Sequence, residues 1–427
     1  MNVKEKLFQA IHERSEELVQ LTRELVAFET LNPPGANYRE CIEYLSKRLQ
    51  TSGFYSQMVR AEGAIGDSDI HPRWNLLSRI EGDFPGDCIH FNSHIDVVAV
   101  GNGWTKDPFK GTIEDGRIYG RGACDMKGGL ATSIIAAEAF ISVIPNFGGA
   151  IEISATVDEE SGGYSGVAWL AEKGIITSKN TQHVIIPEPL HKNRICLGHR
   201  GVWWAEIETH GKIAHGSMPF LGDCAIRHMG ALIQTFEDRL FPKLDCRKTN
   251  FPIVPNEAKR SSINLNSIHG GEPELTNENN SYSAPCVPDR CRMRIDRRFL
   301  PEESLDEVKA EIVDILEALK RERPGFEYTL TDLFSVPSII TDHHKPVAKA
   351  VHKAINEVLG EEPEYVISPG TYDQKHFAQI SNIHNCIAYG PGLLKLAHQP
   401  DEWIGIQDMI ESAKVMACTM LELLTKD

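Results

Sequence analysis

Long apolar runs are missing from this 427-residue chain. None approaches the ~18 residues that a membrane-crossing helix needs, so no spanning segment is expected. Basic charge is also short: 44 Lys and Arg stand against 60 Asp and Glu, a net charge of -16 with His neutral. A surface of that sign repels phosphate backbones and argues against a nucleic-acid partner. The ten cysteines form no C-x-x-C pair. Scattered thiols in a chain of this size point to a reducing, cytoplasmic compartment rather than a disulfide scaffold. The first residues, Met-Asn-Val-Lys-Glu-Lys, lead into a mixed-charge helix and lack the apolar stretch of a signal peptide. There is no G-x-S-x-G elbow for a serine hydrolase, no P-loop and no dinucleotide fingerprint.

What is present is ordinary globular composition, 41% hydrophobic and 24% charged. At ~150 residues per domain the length suggests two or three domains. Leu7, Ile11, Leu18, Leu21 and Leu25 recur at helical spacing from Lys4 to Phe28, and a second helix is expected from Tyr38 to Ser52. Strand-like runs at Asn75–Ile80, Cys88–Val98, Ala150–Val157 and His183–Ile186 then alternate with helical stretches, including an Ala-rich one from Gly128 to Ile144. That alternation indicates an α/β domain with a mostly parallel sheet flanked by helices. After Gly198 the order becomes strand Val202–Thr209, helix Cys224–Leu240, strands Ser261–Ile268 and Cys291–Phe299, helix Ser304–Arg323 and strand Glu327–Leu333. This βαββαβ order is ferredoxin-like. An α/β domain of residues 1–198 and 339–427, interrupted by an inserted α+β domain of residues 199–338, is therefore expected.

The residues fit for chemistry gather at expected strand ends. His94-Ile95-Asp96 closes an apolar strand, where alternation would turn His94 and Asp96 the same way. It reads either as a packed histidine or as a metal ligand with a carboxylate behind it. Asp125 lies in Gly120-Arg121-Gly122-Ala123-Cys124-Asp125-Met126-Lys127-Gly128-Gly129, at a helix start, as a cap or as a ligand. Asp158-Glu159-Glu160 follows a strand directly. Three acids there form a solvated turn, or a cation neutralises them and leaves one carboxylate free as a base. Ile186-Pro187-Glu188-Pro189 frames another acid, and His398 lies in a late loop. Together, two His and three carboxylates are the inventory for two divalent ions sharing one bridging Asp. A mixed N/O set suits Zn²⁺, and also Co²⁺ or Mn²⁺.

His94-Ile95-Asp96-Val97-Val98, Gly103-Trp104 with Asp107-Pro108-Phe109, the Gly120–Gly129 segment, Asp158-Glu159-Glu160, Glu188-Pro189, Asp296 with Arg298 and Pro301, and His398 resemble, in order, the M20 metallopeptidase family. That family includes acetylornithine deacetylase, succinyl-diaminopimelate desuccinylase, aminoacylase and glutamate carboxypeptidases. The resemblance implies that His94 and Glu188 hold one metal, Glu160 and His398 the other, and Asp125 bridges them. It implies Asp96 as the acid that orients His94 and Glu159 as the general base. His215, in Lys212-Ile213-Ala214-His215-Gly216-Ser217-Met218-Pro219, matches a histidine that reaches across a dimer to the neighbouring active site, so the inserted domain is expected to serve as lid and dimerisation surface. Arg298 matches a residue that binds a substrate carboxylate, and Arg200, Gly370 and Thr371 are expected beside the substrate. One departure stands out: an Asn carried by many members is replaced at Pro285, in Pro285-Cys286-Val287-Pro288-Asp289. The leading expectation is a dinuclear metal hydrolase that cleaves the amide C–N bond of a small carboxylate-bearing substrate, an N-acyl amino acid first. The alternatives are a dipeptidase, carboxypeptidase or aromatic-amide hydrolase on the same scaffold, or a catalytically silent binding protein. Tyr372, Asp373 and Lys375 have no assigned role. Of the Trp203-Trp204 pair, one ring is expected in the core and one in a domain seam.

Overall fold

The N-terminal stretch expected as one helix is two, α1 (Val3–Glu13) and α2 (Ser15–Ala27), parted at Arg14. The break lets each helix bury its own apolar stripe, Leu7 and Ile11 on α1 and Leu18, Leu21 and Leu25 on α2. Arg14 itself pairs with Glu17 at 2.9 Å. The structure, a computed structural model, describes residues 1–271 and 285–425.

Two compact units are present. The first comprises Met1–Gly198, Thr341–Val366 and Tyr372 onward. The second comprises His199–Ile340 with Ile367–Thr371, so Gly370 and Thr371 belong to it and not to the catalytic segment in which they were placed from sequence.

In the first unit, α3 (Tyr38–Thr51) is followed by β1 (Tyr55–Arg60), β2 (Trp74–Glu81) and β3 (Phe84–His94). Helix α4 (Gly128–Val143), β4 (Gly148–Thr156), β5 (His183–Ile186) and β6 (Arg194–His199) come next. The second unit supplies β7 (Gly201–His210), α5 (Ala225–Thr235), β8 (Ser262–Gly270), β9 (Arg290–Phe299), α6 (Leu305–Glu322) and β10 (Glu327–Val336). The chain then returns through α7 (Pro346–Leu359), β11 (Cys386–Ala388) and α8 (Ile406–Leu424).

The large sheet runs β1-β2-β4-β3-β5-β11-β6. It is mixed rather than mostly parallel. The central strands β4, β3, β5 and β11 pair in parallel, and β1-β2, β2-β4 and β11-β6 are antiparallel. Connection decides the direction: β3 reaches β4 through α4, a crossover that permits parallel pairing, whereas β1 and β2 are joined by a loop. α4 packs against α1, α8 and β3, and is buried on every side from Gly128 to Phe140. Close approach explains its small residues, since a Cβ on Gly129 would lie 2.1 Å from the Pro187 carbonyl. By length and composition the stretch Ala123–Val143 could cross a membrane, contrary to expectation, but 83% of its apolar window is buried inside the protein. It is a core helix.

The second unit is a four-stranded antiparallel sheet in the order β8-β9-β7-β10. Trp203, Ala205 and Ile207 of β7 alternate inward to meet Cys291, Met293 and Ile295 of β9 and the apolar faces of α5 and α6. Trp203 is fully buried, with its indole N–H donating to Asp332 Oδ1 at 2.7 Å, whereas Trp204 is 40% exposed against the Phe334 ring. The helix expected from Cys224 to Leu240 loosens after Thr235 into a wider turn at Phe236–Leu240.

Candidate metal centre and active site

Strand β3 ends on His94, so Asp96 lies past it in the following loop and not on the same strand face as expected. The histidine is oriented by a different atom of the same residue. Its Nδ1–H donates to the Asp96 backbone carbonyl at 2.9 Å, and the Asp96 carboxylate is 3.5 Å from that nitrogen. Nε2 is thereby left to face Asp125 Oδ1 at 3.2 Å, which is how a ligating histidine is set. Burial opposes charge on His94, but hydrogen bonding to Asp125 and Asp96 outweighs it and holds the pKa well above the usual range.

The Asp96 carboxylate has its own work. It accepts the backbone N–H groups of Glu159 and Glu160, each at 3.1 Å, and the Asn32 side-chain amide at 2.9 Å. Burial would raise its pKa, yet His94 and these donors keep it lowered. This clamp turns the acidic segment inward. Of the three consecutive acids, Asp158 adopts a left-handed backbone (φ 61°) and is neutralised by Arg73 at 2.9 Å and the Tyr38 hydroxyl at 2.8 Å. Glu159 and Glu160 are faced instead by Lys375 Nζ at 3.7 Å and His398 Nε2 at 3.0 Å.

Asp125 sits in the turn Ala123–Lys127 that opens α4. Its second oxygen lies 3.5 Å from His398 Nε2, which also meets Glu160 Oε1 at 3.0 Å. The ligand atoms of His94, Asp125 and Glu160 all lie within 4.8 Å of one another. Hydrogen bonding to Asp125 and Glu160 pushes His398 up to about 10. Glu188 is buried, and burial together with the Asp125 charge pushes its pKa well above the usual range. Burial likewise pushes Glu159 up to about 8 despite Lys375, whose Nζ is 3.7 Å away. Glu160 and Asp373 are raised by burial too.

Such electrostatics suit a cation site. Carboxylates crowded out of water are strained as anions until a multivalent ion joins them. His94, Asp125, Glu160, Glu188 and His398 offer imidazole and carboxylate donors that fit such ions. Cys124 does not join them: burial raises its thiol pKa strongly, and its S–H donates to the Leu393 carbonyl. A second grouping, Asp342, His343 and His344, is fully on the surface, and its carboxylate already accepts the His344 N–H at 2.8 Å.

The remaining expected residues lie in the second unit. His215 is exposed, and its Nδ1 accepts the Ser217 N–H at 3.1 Å. The Ser217 hydroxyl lies 2.8 Å from the same nitrogen, and among the described residues Nε2 makes no hydrogen bond. Pro285 borders this turn, its carbonyl accepting the Gly216 N–H at 3.0 Å. Arg298 is paired through both Nε and Nη2 with Asp296 at 2.8 and 3.0 Å. Arg200 is spent on backbone, donating to the carbonyls of Pro369, Ala258 and Arg260, and burial lowers it to about 10. Gly370 has nothing within 4 Å of the position a Cβ would take, and Thr371 is partly buried. Residues not foreseen include Asn32, Arg121 and Glu402. The last accepts the Asp125 backbone N–H at 3.0 Å, across 277 positions of sequence that no local pattern links.

A mixed sheet that brings a strand-end histidine, a loop histidine and several buried acids around one shared Asp has the make-up of a metal-dependent hydrolase. The chain belongs to peptidase family M20/M25/M40, which matches residues 90–422. It is 27% identical over 416 residues to succinyl-diaminopimelate desuccinylase of Polynucleobacter necessarius subsp. necessarius (strain STIR1), covering 95% of this chain and 99% of the relative. The enzyme of the same description from Nitrosomonas europaea is 28% identical, with 96% and 100% covered. In fold the chain is similar to human carnosine dipeptidase 1 (TM-score 0.76, 20% identity, 99% of both chains). It is also similar to an M20 family metallo-carboxypeptidase from Sulfolobus solfataricus (TM-score 0.72, 20% identity, 95% and 99%). The protein is thus a metal-dependent hydrolase of amide C–N bonds.

Proposed function

We propose that the protein is a dinuclear N-acyl amino acid deacylase acting on a small substrate that bears a carboxylate. The observation that carries this is the Asp125 carboxylate, one oxygen toward each of two histidines, with Glu160 in the same cluster and Glu159 next to it in the chain but outside that cluster. When bound, two divalent ions, Zn²⁺ first and Co²⁺ or Mn²⁺ as alternatives, supply charge that acidifies water toward a pKa of ~7 and polarises the scissile carbonyl. His94 and Glu188 would hold one, Glu160 and His398 the other, and Asp125 would be shared by both. Glu159 takes the proton of the attacking water on its carboxylate and returns it to the leaving nitrogen. Lys375, 3.7 Å away, favours the anion that accepts that proton. His215 donates from Nε2 to the developing oxyanion, in trans across a homodimer built through the second unit, and Arg298 meets the substrate carboxylate, with Gly370 and Thr371 beside the substrate. Ten free cysteines support a cytoplasmic setting.

The desuccinylase relatives, matched over nearly their whole length, favour an acyl group that is itself acidic. A dipeptidase is the second reading, favoured by the likeness to human carnosine dipeptidase 1 over 99% of both chains. Metal-reconstituted protein screened against N-succinyl and N-acetyl amino acids, dipeptides and aromatic amides, with released amine as readout, separates them. Turnover of N-acyl amino acids above dipeptides is expected. Dipeptide turnover alone would overturn the deacylase reading, and no turnover of any class would overturn both.

A further inference from the structure

The ligands come from distant segments of chain, and one buried ion pair gathers three of those segments. Arg121 Nη1 and Glu402 Oε2 meet at 2.6 Å, with side chains 2% and 0% exposed. The other oxygen of Glu402 accepts the backbone N–H groups of Cys124 and Asp125 at 2.9 and 3.0 Å. Glu402 itself stands four residues after His398. The Arg121 guanidinium donates to the carbonyls of His398 (3.2 Å) and Gln399 (3.3 Å), and to those of Ala99 (3.4 Å) and Val100 (3.1 Å) in the loop that leaves His94 and Asp96. Asp401 adds a second tie between the same loops, accepting the N–H of Thr105 at 2.9 Å and its hydroxyl at 2.7 Å.

A buried ion pair contributes little net stability, because desolvation offsets its attraction. Here its return is geometric. One end of the pair fixes the peptide that carries Asp125, and the other end fixes the carbonyl of His398. A guanidinium in its planar fork can hold several carbonyls at set angles, which an ammonium cannot.

We propose that the Arg121–Glu402 pair is a positioning device that presets Asp125 against His398 and thereby sets the affinity of the ion on the His398–Glu160 side. The inference rests on the two-ion reading above. Neither residue touches substrate; each acts through the backbone of a ligand. Outer partners of this kind are worth ~10–100-fold in metal affinity.

The test is a Co²⁺ titration of metal-free protein, read by visible absorption and by metal analysis. Glu402→Gln keeps size and one acceptor oxygen but loses the charge that holds Arg121, and Arg121→Lys keeps charge but loses the fork. His398→Ala identifies which equivalent is held on that side. Both variants should bind that equivalent ~10–100-fold more weakly while the other changes little. The Tm of the metal-free proteins monitors folding. If a single variant fails to fold, Arg121→Gln with Glu402→Gln, which removes both charges, should show the same selective loss. Equal weakening of both ions, or of neither, overturns the inference. A wild type that binds only one ion overturns the two-ion reading instead.

Discussion

Asp125 offers one carboxylate oxygen to His94 Nε2 at 3.2 Å and the other to His398 Nε2 at 3.5 Å, joining histidines 304 residues apart in the chain. A single side chain shared in this way brings two distant segments of chain to one place, which ions held there would tie together.

Removal of the ions should therefore cost stability as well as turnover. Ligand that binds only the folded chain stabilises by about 2.7 kcal/mol at a hundredfold excess over Kd. Calorimetry with and without a chelator, alongside metal analysis, should show a lower Tm for the stripped protein. An unchanged Tm with full turnover after confirmed removal would contradict the metal assignment.

Glu159→Gln should lower kcat by ~10²–10⁴-fold while metal content stays at the wild-type value. The substitution preserves shape and removes basicity. Activity within a few-fold of wild type would move the base elsewhere.

His215→Ala should lower kcat by ~10²–10³-fold, the usual cost of losing one oxyanion donor. Mixing it with Glu159→Gln subunits should restore activity, because a trans histidine leaves one intact site in each heterodimer. Subunit exchange confirmed by mass spectrometry, with no recovery, would place the histidine in its own chain's site.

Acid should act on the second unit through Glu303 and Glu311. Arg297 is fully buried with Glu303 at 3.0 Å, and Arg247 bonds both acids. Burial would raise both carboxyls, but Arg297 on Glu303 and Lys243 with Arg247 on Glu311 hold them below the usual 4.5. A depressed carboxyl contributes stability that is complete above its unfolded value and is lost as pH falls through the folded one. Unfolding followed by circular dichroism should show that loss below about pH 4.5. Glu303→Gln, which takes from buried Arg297 its nearest carboxylate, should cost about 3 kcal/mol near neutral pH and flatten the acid side. An unaltered acid profile would count against the network.

Local patterns made some of this readable from sequence and left other parts hidden. The alternation in Val202–Thr209 announces β7 and separates buried Trp203 from half-exposed Trp204. Strand ends followed by His94, Asp158-Glu159-Glu160 and Glu188 announce a shared ligand edge. Arg14, by contrast, carries no breaker chemistry, so the parting of α1 from α2 is set by what each helix packs on. Strand direction was hidden as well, because β11 arrives from far along the chain to pair beside β5. Glu402 was invisible as a partner of Asp125 for the same reason. Nothing in a loop acid four residues after His398 reports which peptide N–H groups it will meet.

The burial of α4 makes the two ends of the site unequal in their access to solvent. The Ala123–Lys127 turn runs straight into a helix enclosed on all sides, and His94 is 1% exposed, so these amides can exchange with solvent only when most of the first unit opens. The His398 side chain is 47% exposed on a left-handed loop residue, which can part from the rest by a small local excursion. The centre thus joins an enclosed side at His94 and Asp125 to a solvent-facing side at His398.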